Sequence, residues 1–373
     1  MKTTIISMEQ LRHAINLRDL SNPADGRHAM QLILNDILAA LQAAWGCEVV
    51  TYRGNPIVSI SDNYDCLHYP VDGASRDARY SRYVCETALL RTQMSAMVPR
   101  AMQNVAENMP NDVLLACPGM VYRRDSVDRI HSAEPHHLDL WRLTTKAPMT
   151  SAILKETVAI ILNAALPNVE WKLEHSPHPY TLEGVEINAK CDGQWVEVGE
   201  CGLAHPDIIR ENIPNASGVT GLALGMGLDR LLMVRKGIKD IRLLRSTDPR
   251  VMEQMQDLAP YRDVSSMPPV TRDLSIVRDN AANNEDLGDK VREALGPQAD
   301  IVELVEMISE TPYASLPPQA MRRLGIVEGQ KNILLRVVLR ALERTMTTEE
   351  CNVHRDTIYK ALHQGTVWDL ING

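Results

Sequence analysis

The chain has 373 residues, enough for two or three domains at roughly 100–200 residues each, and its 45% hydrophobic and 23% charged residues match a soluble globular protein rather than a disordered one. Its formal charge of −9, from 39 Lys+Arg against 48 Asp+Glu, argues against gripping nucleic acid by bulk positive charge, so any tRNA or DNA contact would need a local basic face. No apolar run approaches the roughly 18 residues of a membrane span, and MKTTIISMEQLRHAIN turns polar too early for a signal peptide, so a cytoplasmic location and no membrane are expected.

In chain order, Leu34, Ile37, Leu38, Leu41 and Trp45 recur at helical spacing after the turn-like SNPADG, and CEVVTYRG then reads as a strand. ALLRTQMSAMVPRAM, with polar Arg91, Thr92, Gln93 and Ser95 between apolar flanks, reads as the start of an amphipathic helix. VYRRDS, EWKLEH, QWVEVGECG and VTGLALG read as strands separated by loops, which predicts an α+β domain built on an antiparallel sheet. Near residue 260 the prolines and serines of DLAPYRDVSSMPPVTRDLSIV suit a linker, dividing the chain into 1–258 and 259–373. Beyond it the pattern is strand (272–278), helix (283–296), strand (301–309), strand (332–341) and helix (347–363), compatible with a small βαββα(β) module of the ferredoxin-like type. Over 261–373 there are 13 cations against 17 acids, yet Arg322, Arg323, Lys331, Arg336 and Arg340 gather there. A solvated face and nucleic-acid contact explain that gathering equally.

The seven cysteines, at 47, 66, 85, 117, 191, 201 and 351, never form a C-x-x-C pair, so reduced thiols are expected rather than disulfides or a thiolate zinc site. There is no internal repeat. There is also no phenylalanine, where about a dozen would be usual, so Leu, Met and Tyr must fill its place.

Among stretches that could carry chemistry, VTGLALGMGLDRLLMVRKGI ends an apolar strand in Gly225-Met226-Gly227 and opens a helix with Asp229 and Arg230. The third glycine of G-x-G-x-x-G is Arg230 here, which rejects a dinucleotide fingerprint. A guanidinium at the first turn of a helix suits a polyphosphate, although an ordinary helix start also accounts for it. GMVYRRDSVDRIHSAEPHHLDLWRL crowds charges between two apolar ends. Neighbours His136 and His137 would point to opposite faces of a strand, against a histidine metal site, whereas Arg123 and Asp125 would share a face, able to hold a phosphate and magnesium. Glu197 and Glu200 could act as acid and base, or simply be exposed strand residues.

Taken together and in order, these stretches resemble phenylalanyl-tRNA synthetase, a class II aminoacyl-tRNA synthetase. Leu90 to Ser95, LRTQMS, resembles that family's L-R-T-H-T-S, and Val121 through Asp139 resembles its motif 2, V-[FY]-R…D-x-T-H…F-H-Q-x-E. WVEVGECGLAHP (195–206) is similar to W-[LV]-E-V-x-G-C-G-M-V-H-P, and GLALGMGLDR (221–230) to motif 3, G-F-A-F-G-x-G-[VP]-E-R. Tyr261 to Val277 and Leu334 to Asn352 resemble the ferredoxin-fold anticodon-binding domain of the same enzymes. The resemblance implies a class II antiparallel-sheet catalytic domain followed by that module, using ATP and Mg2+ to activate phenylalanine or a related aromatic amino acid and transfer it to tRNA. It casts Arg123 and Arg230 as catalytic. Asp125, Glu197, Gly225 and Gly227 join them around ATP, with Asp125 and Glu197 holding the metal. To the amino acid it assigns Gln93, Ser95, His137, Asp139, His178, Tyr180, Leu222, Ala223 and Leu224, and to tRNA, of the phenylalanine-accepting kind, Arg322, Arg323, Lys331, Arg336 and Arg340. The implied assembly is a homodimer or a monomer.

The amino-acid pocket departs from the pattern. The histidine of L-R-T-H-T-S is Gln93, the glutamine and glutamate of H-Q-x-E are His137 and Asp139, the wall F-P-F is His178-Pro179-Tyr180, and F-A-F is Leu222-Ala223-Leu224. Edge-to-face packing around a benzyl ring is lost at several points. Two explanations compete: a more polar or modified substrate, or a chain purged of phenylalanine throughout and repacked for the usual one. A paralogue that binds amino acid, adenylate or tRNA without completing transfer is the alternative function.

Overall fold

A computed structural model describes residues 5–77, 80–124, 128–191, 193–214, 216–264 and 267–368. The chain falls into two compact units, neither continuous in sequence. Met1–Arg123, Glu134–Ile238 and Glu253–Tyr261 make the first; Arg124–Ala133, Lys239–Met252 and Arg262–Gly373 make the second.

The first unit runs α1 (Met8–Ile15), α2 (Ala29–Trp45), β1 (Glu48–Thr51), β2 (Ile57–Ser59), α3 (Ile60–Asn63), β3 (Tyr83–Cys85), β4 (Ala88–Leu90), α4 (Val98–Val105), β5 (Asp112–Met120), β6 (His136–Thr144), α5 (Ser151–Ala165), β7 (Trp171–His175), β8 (Thr181–Cys191), β9 (Gln194–Ala204), α6 (Pro206–Asn212), β10 (Thr220–Gly227) and α7 (Leu228–Lys236). Local chemistry sets the ends. Ser7 and Gln10 form a reciprocal capping box before α1, Thr150 caps α5, and α2 and α7 stop at Gly46 and Gly237, both left-handed. Seven strands form one sheet in the order β1-β5-β6-β10-β9-β8-β7, antiparallel except for the β1–β5 pair. The expected antiparallel α+β architecture is therefore present.

β5 is buried along its whole length because both faces of the sheet are covered. α2 packs on α5 and α7, and α7 on β6. The opposite face is closed over part of its area by Met97, Val98, Met102, Ile208 and Ile209 around Trp141, Leu115 and Leu143. With no phenylalanine available, the largest fully buried side chains include Trp141, Tyr64, Met30, Met94 and several leucines.

Two expected elements differ. Of VYRRDS, the described residues 121–124 are not a strand: β5 ends at Met120, and Arg123 makes a single bridge to Ser81. Arg91 explains the break, because its buried guanidinium donates to the Met120 carbonyl at 2.7 Å and the Gly54 carbonyl at 2.9 Å. ALLRTQMSAMVPRAM begins as strand β4, and a 3-10 turn over Met94–Met97 leads into α4 at Val98, with Pro99 in its first turn.

After α8 (Pro249–Gln254), the second unit contributes β11 (Val270–Asp279), α9 (Asn284–Leu295), β12 (Val302–Pro312), α10 (Pro318–Leu324), β13 (Gln330–Leu339) and α11 (Thr348–Leu362). The strands pair antiparallel in the order β11-β13-β12. Leu274, Ile276, Val291, Ile333, Leu335, Val337 and Ile358 form the centre of its core, with α9 against β12 and α11 against β11. This is the expected βαββα order, with an extra short helix between β12 and β13. No further strand joins the sheet among the described residues. The tail after α11 lies on the free side of β11, where Gln364 N donates to the Val277 carbonyl at 3.0 Å.

Candidate active site

Strand alternation and register decide which side chains meet on the open part of the large sheet. On β6, Asp139 stands between Cys117 of β5 and Gly225 of β10, and His137 between Gly119 and Gly227. Glu200 of β9 lies on the other side of Gly225. The glycines leave the floor bare: a Cβ on Gly225 would sit 3.6 Å from Asp139 Oδ2, and one on Gly227 would lie 4.0 Å from the Arg230 Cβ. One row further along β6 the face closes, with fully buried Trp141 beside Ala223.

Asp139 is the buried acid of this floor. Ser95 Oγ donates to Oδ2 at 2.6 Å and Trp141 Nε1 to Oδ1 at 2.9 Å. Burial pushes its carboxyl up to about 7, with the Glu200 charge adding to the rise and those two hydrogen bonds opposing it. Beside it, Tyr69 Oη donates to Gln93 Oε1 at 2.8 Å, and Gln93 Nε2 to the Asn63 carbonyl at 2.9 Å. His178 Nε2 is 2.9 Å from Glu200 Oε2, to which Tyr180 Oη donates at 3.5 Å. Tyr180 is tilted 6.1 Å from Tyr69 and 6.3 Å from Trp141, and stacks 5.7 Å from His178, so these rings form one wall.

The cations stand at the other end. Arg123 Nε donates to the Thr92 carbonyl at 2.7 Å, and its guanidinium lies 5.7 Å from the Tyr80 ring centre. Arg230, in the first turn of α7, donates to the Glu197 carbonyl at 3.0 Å and is 3.6 Å from its carboxylate. Burial holds the His137 ring well below the usual imidazole range, and the charges of Arg123 and Arg230 both add to that shift. Burial raises the Glu197 carboxyl, Arg230 opposes the rise, and neighbouring Glu200 and Glu186 reinforce it. Crowded hard carboxylate oxygens of this kind fit a magnesium ion whose remaining ligands come from phosphates. Among the described residues no three His, Cys, Asp or Glu form a ready-made metal cluster. Asp125 lies outside the described residues.

Behind the cleft, His136 Nε2 accepts from Leu20 N at 3.0 Å, which puts the ring proton on Nδ1, 3.1 Å from Asp229 Oδ1. Asp229 also accepts from the His136 backbone N–H. The start of β6 is thus tied to the start of α7, the two elements that present His137 and Arg230.

Two residues expected around the amino acid lie away from the cleft. Leu222 and Leu224 pair with Arg142 and Leu140, so they sit on the sheet face opposite Asp139 and Gly225, fully buried, and do not line the cleft. Ala223 is on the cleft face, but in its closed row. Of the five cations expected on tRNA, Lys331 is buried against Glu310 at 2.5 Å, Arg336 holds Asp273 through two bonds of 2.9 and 2.8 Å, and Arg340 is 2.5 Å from buried Glu303. These three are neutralised by acids. Arg322 and Arg323, at the end of α10, are exposed and make no ion pair among the described residues. Tyr69 and Trp141 join the site without having been singled out by any motif. Trp141 is within reach of sequence reasoning, since it stands two residues from Asp139 on a strand; Tyr69 sits in a segment without periodicity.

No helix among the described residues is long and apolar enough to cross a membrane. The chain matches the family described as tRNA synthetases class II core domain (F) over residues 14–255. It is 34% identical over 222 residues to the phenylalanine–tRNA ligase alpha subunit of Nostoc sp. (strain PCC 7120 / SAG 25.82 / UTEX 2576), covering 59% of this chain and 66% of that protein. It is 30% identical over 253 residues to the phenylalanine–tRNA ligase alpha subunit of Heliobacterium modesticaldum (strain ATCC 51547 / Ice1), covering 64% and 72%. The chain thus spans about two thirds of the length of these curated relatives. Among solved structures, the pyrrolysyl-tRNA synthetase of Desulfitobacterium hafniense superposes with a TM-score of 0.47 at 21% identity, over 64% of this chain and 80% of that one. By the match across residues 14–255, more than half of its length, this chain belongs to the class II tRNA synthetase core family.

Proposed function

We propose that this chain activates an amino acid with ATP and passes it to tRNA. A substrate carboxylate attacks the α-phosphate, pyrophosphate leaves, and a tRNA hydroxyl then takes the acyl group and releases AMP. The observation that carries this reading is a bare glycine floor that ends in the Asp139 carboxyl, with Arg230 in the first turn of α7 directly after Gly227 and Arg123 fixed on the Thr92 carbonyl. Two anions must be held together while charge grows on the phosphoryl oxygens, and fixed guanidiniums supply that stabilisation without reorganising. Arg123 would bridge the carboxylate and α-phosphate, and Arg230 would hold the outer phosphates. Ser95 and Asp139 would take the substrate ammonium, which favours the ionised form of Asp139. Glu197 would help to hold magnesium, which draws charge off the phosphates. The names of the relatives support phenylalanine or a related aromatic as substrate, and a phenylalanine-accepting tRNA as partner. A second reading, a regulator that binds amino acid, adenylate or tRNA without transfer, is favoured by the neutralised cations of the second unit.

Amino-acid-dependent ATP–pyrophosphate exchange over the proteinogenic and hydroxylated aromatic amino acids tests the proposal. Exchange with at least one is expected, falling at least about 100-fold in Arg123→Ala. Silence with all of them, in folded protein that still binds ATP, supports the regulator.

A further inference from the structure

The amino-acid end of the cleft contains a charge that an apolar substrate could not answer. Glu200 stands where the pattern W-[LV]-E-V-x-G-C-G has glycine. Its position opposite Gly225 puts its side chain on the same sheet face as Asp139, and no Cβ on Gly225 covers it. The side chain is 40% exposed. Oε2 is engaged by His178 and Tyr180, whereas Oε1 accepts no hydrogen bond among the described residues. Burial would raise this carboxyl, but the hydrogen bond and charge of His178 and the charge of Arg123 hold it below the usual glutamate range, so it is ionised at neutral pH. Glu200 thus lies one strand from Gly225 and two from Asp139, bound to His178 and Tyr180 of the aromatic wall.

A benzyl group laid against the Tyr69–Tyr180–His178 wall would strip water from Glu200 and return no hydrogen bond, whereas a side chain ending in N–H or O–H would replace that water. We infer that Glu200 is the specificity-determining residue of the side-chain subsite, and that the substrate is an amino acid whose side chain presents a hydrogen-bond donor, hydroxyl or cationic, to Oε1. This rests on the amino-acid-activating reading and narrows it: phenylalanine itself is disfavoured.

The test is calorimetric binding of phenylalanine, tyrosine, meta-tyrosine, tryptophan, histidine and lysine to the full chain, to Glu200→Gln and to Glu200→Gly, alongside pyrophosphate exchange. A donor-bearing side chain is expected to bind at least about tenfold tighter than phenylalanine, the step one unpaired buried group imposes. In Glu200→Gly that ratio should collapse to within about threefold. Glu200→Gln, with an unchanged melting temperature, should spare much of a hydroxyl's advantage and remove a cation's. Phenylalanine binding tightest, ratios unmoved by either variant, or no amino acid bound by folded protein overturns the inference. Glu200-dependent binding without exchange leaves the inference standing and defeats the activating reading. Phenylalanine-selective exchange indifferent to Glu200 does the reverse.

Discussion

Burial gives Asp139 a proton that an exposed aspartate would not hold near neutral pH. An unfolded aspartate loses its proton at ~3.9, whereas burial keeps Asp139 protonated up to about 7. Between those values the folded chain holds a proton that the unfolded chain has released, so this group makes stability fall as pH rises from about 4 to about 7 and adds no slope beyond. Asp139→Asn should flatten that part of the profile, measured by urea unfolding across pH 5 to 8, and gain on the parent at pH 8. The parent should also release close to one proton on binding its amino acid at pH 6, in buffers of differing ionisation enthalpy, and the variant none. At this scale the sequence is readable where alternation suffices. Asp139 and His137 fall on one face of β6, and the same two-residue period along β10 separates Leu222 and Leu224 from Ala223 and Gly225. Alternation does not reveal the partner of each group. Trp141 reaches back to Asp139 within one strand, while Tyr69 meets Gln93 across 24 residues of chain.

Among the elements, β10 has the most constrained task. Its inward row is bare at Gly225 and Gly227, where ligand can lie on the sheet, and small at Gly221 and Ala223, where the face is closed by packing, while its outward row of Leu222, Leu224 and Met226 is buried. Gly225→Val should therefore place methyl groups against Asp139 and remove amino-acid binding, with exchange falling at least about 100-fold. Its β-branched side chain suits a strand, so the melting temperature should stay within a few degrees of the parent, read by differential scanning calorimetry. β10 and α7 are legible because their apolar runs begin or end at glycines, and β13 because its run is apolar and rich in Val and Ile. The segment after Met120 is not, because local pattern does not show that Arg91 takes the carbonyl where the strand would have continued.

For the molecule as a whole, the absence of phenylalanine extends well past the cleft. The core of the second unit is built mainly from Leu, Ile and Val, with Met346 and Tyr359, so the absence is not confined to the cleft. Within that unit Glu303, its side chain only 5% exposed, gathers three guanidiniums: Arg129 Nε donates to it at 2.8 Å, Arg340 lies at 2.5 Å and Arg242 at 3.5 Å. Removing a buried counter-charge strands its partners, so Glu303→Ala should cost about 3 kcal/mol in chemical denaturation, and Glu303→Gln less. These three arginines come from segments far apart in sequence, 124–133, 239–252 and 262–373. The second unit is therefore not a detachable cassette. A cut near residue 260 would leave Arg129 and Arg242 behind without their shared acid, and a graft of this unit onto another scaffold would have to carry all three pieces of chain.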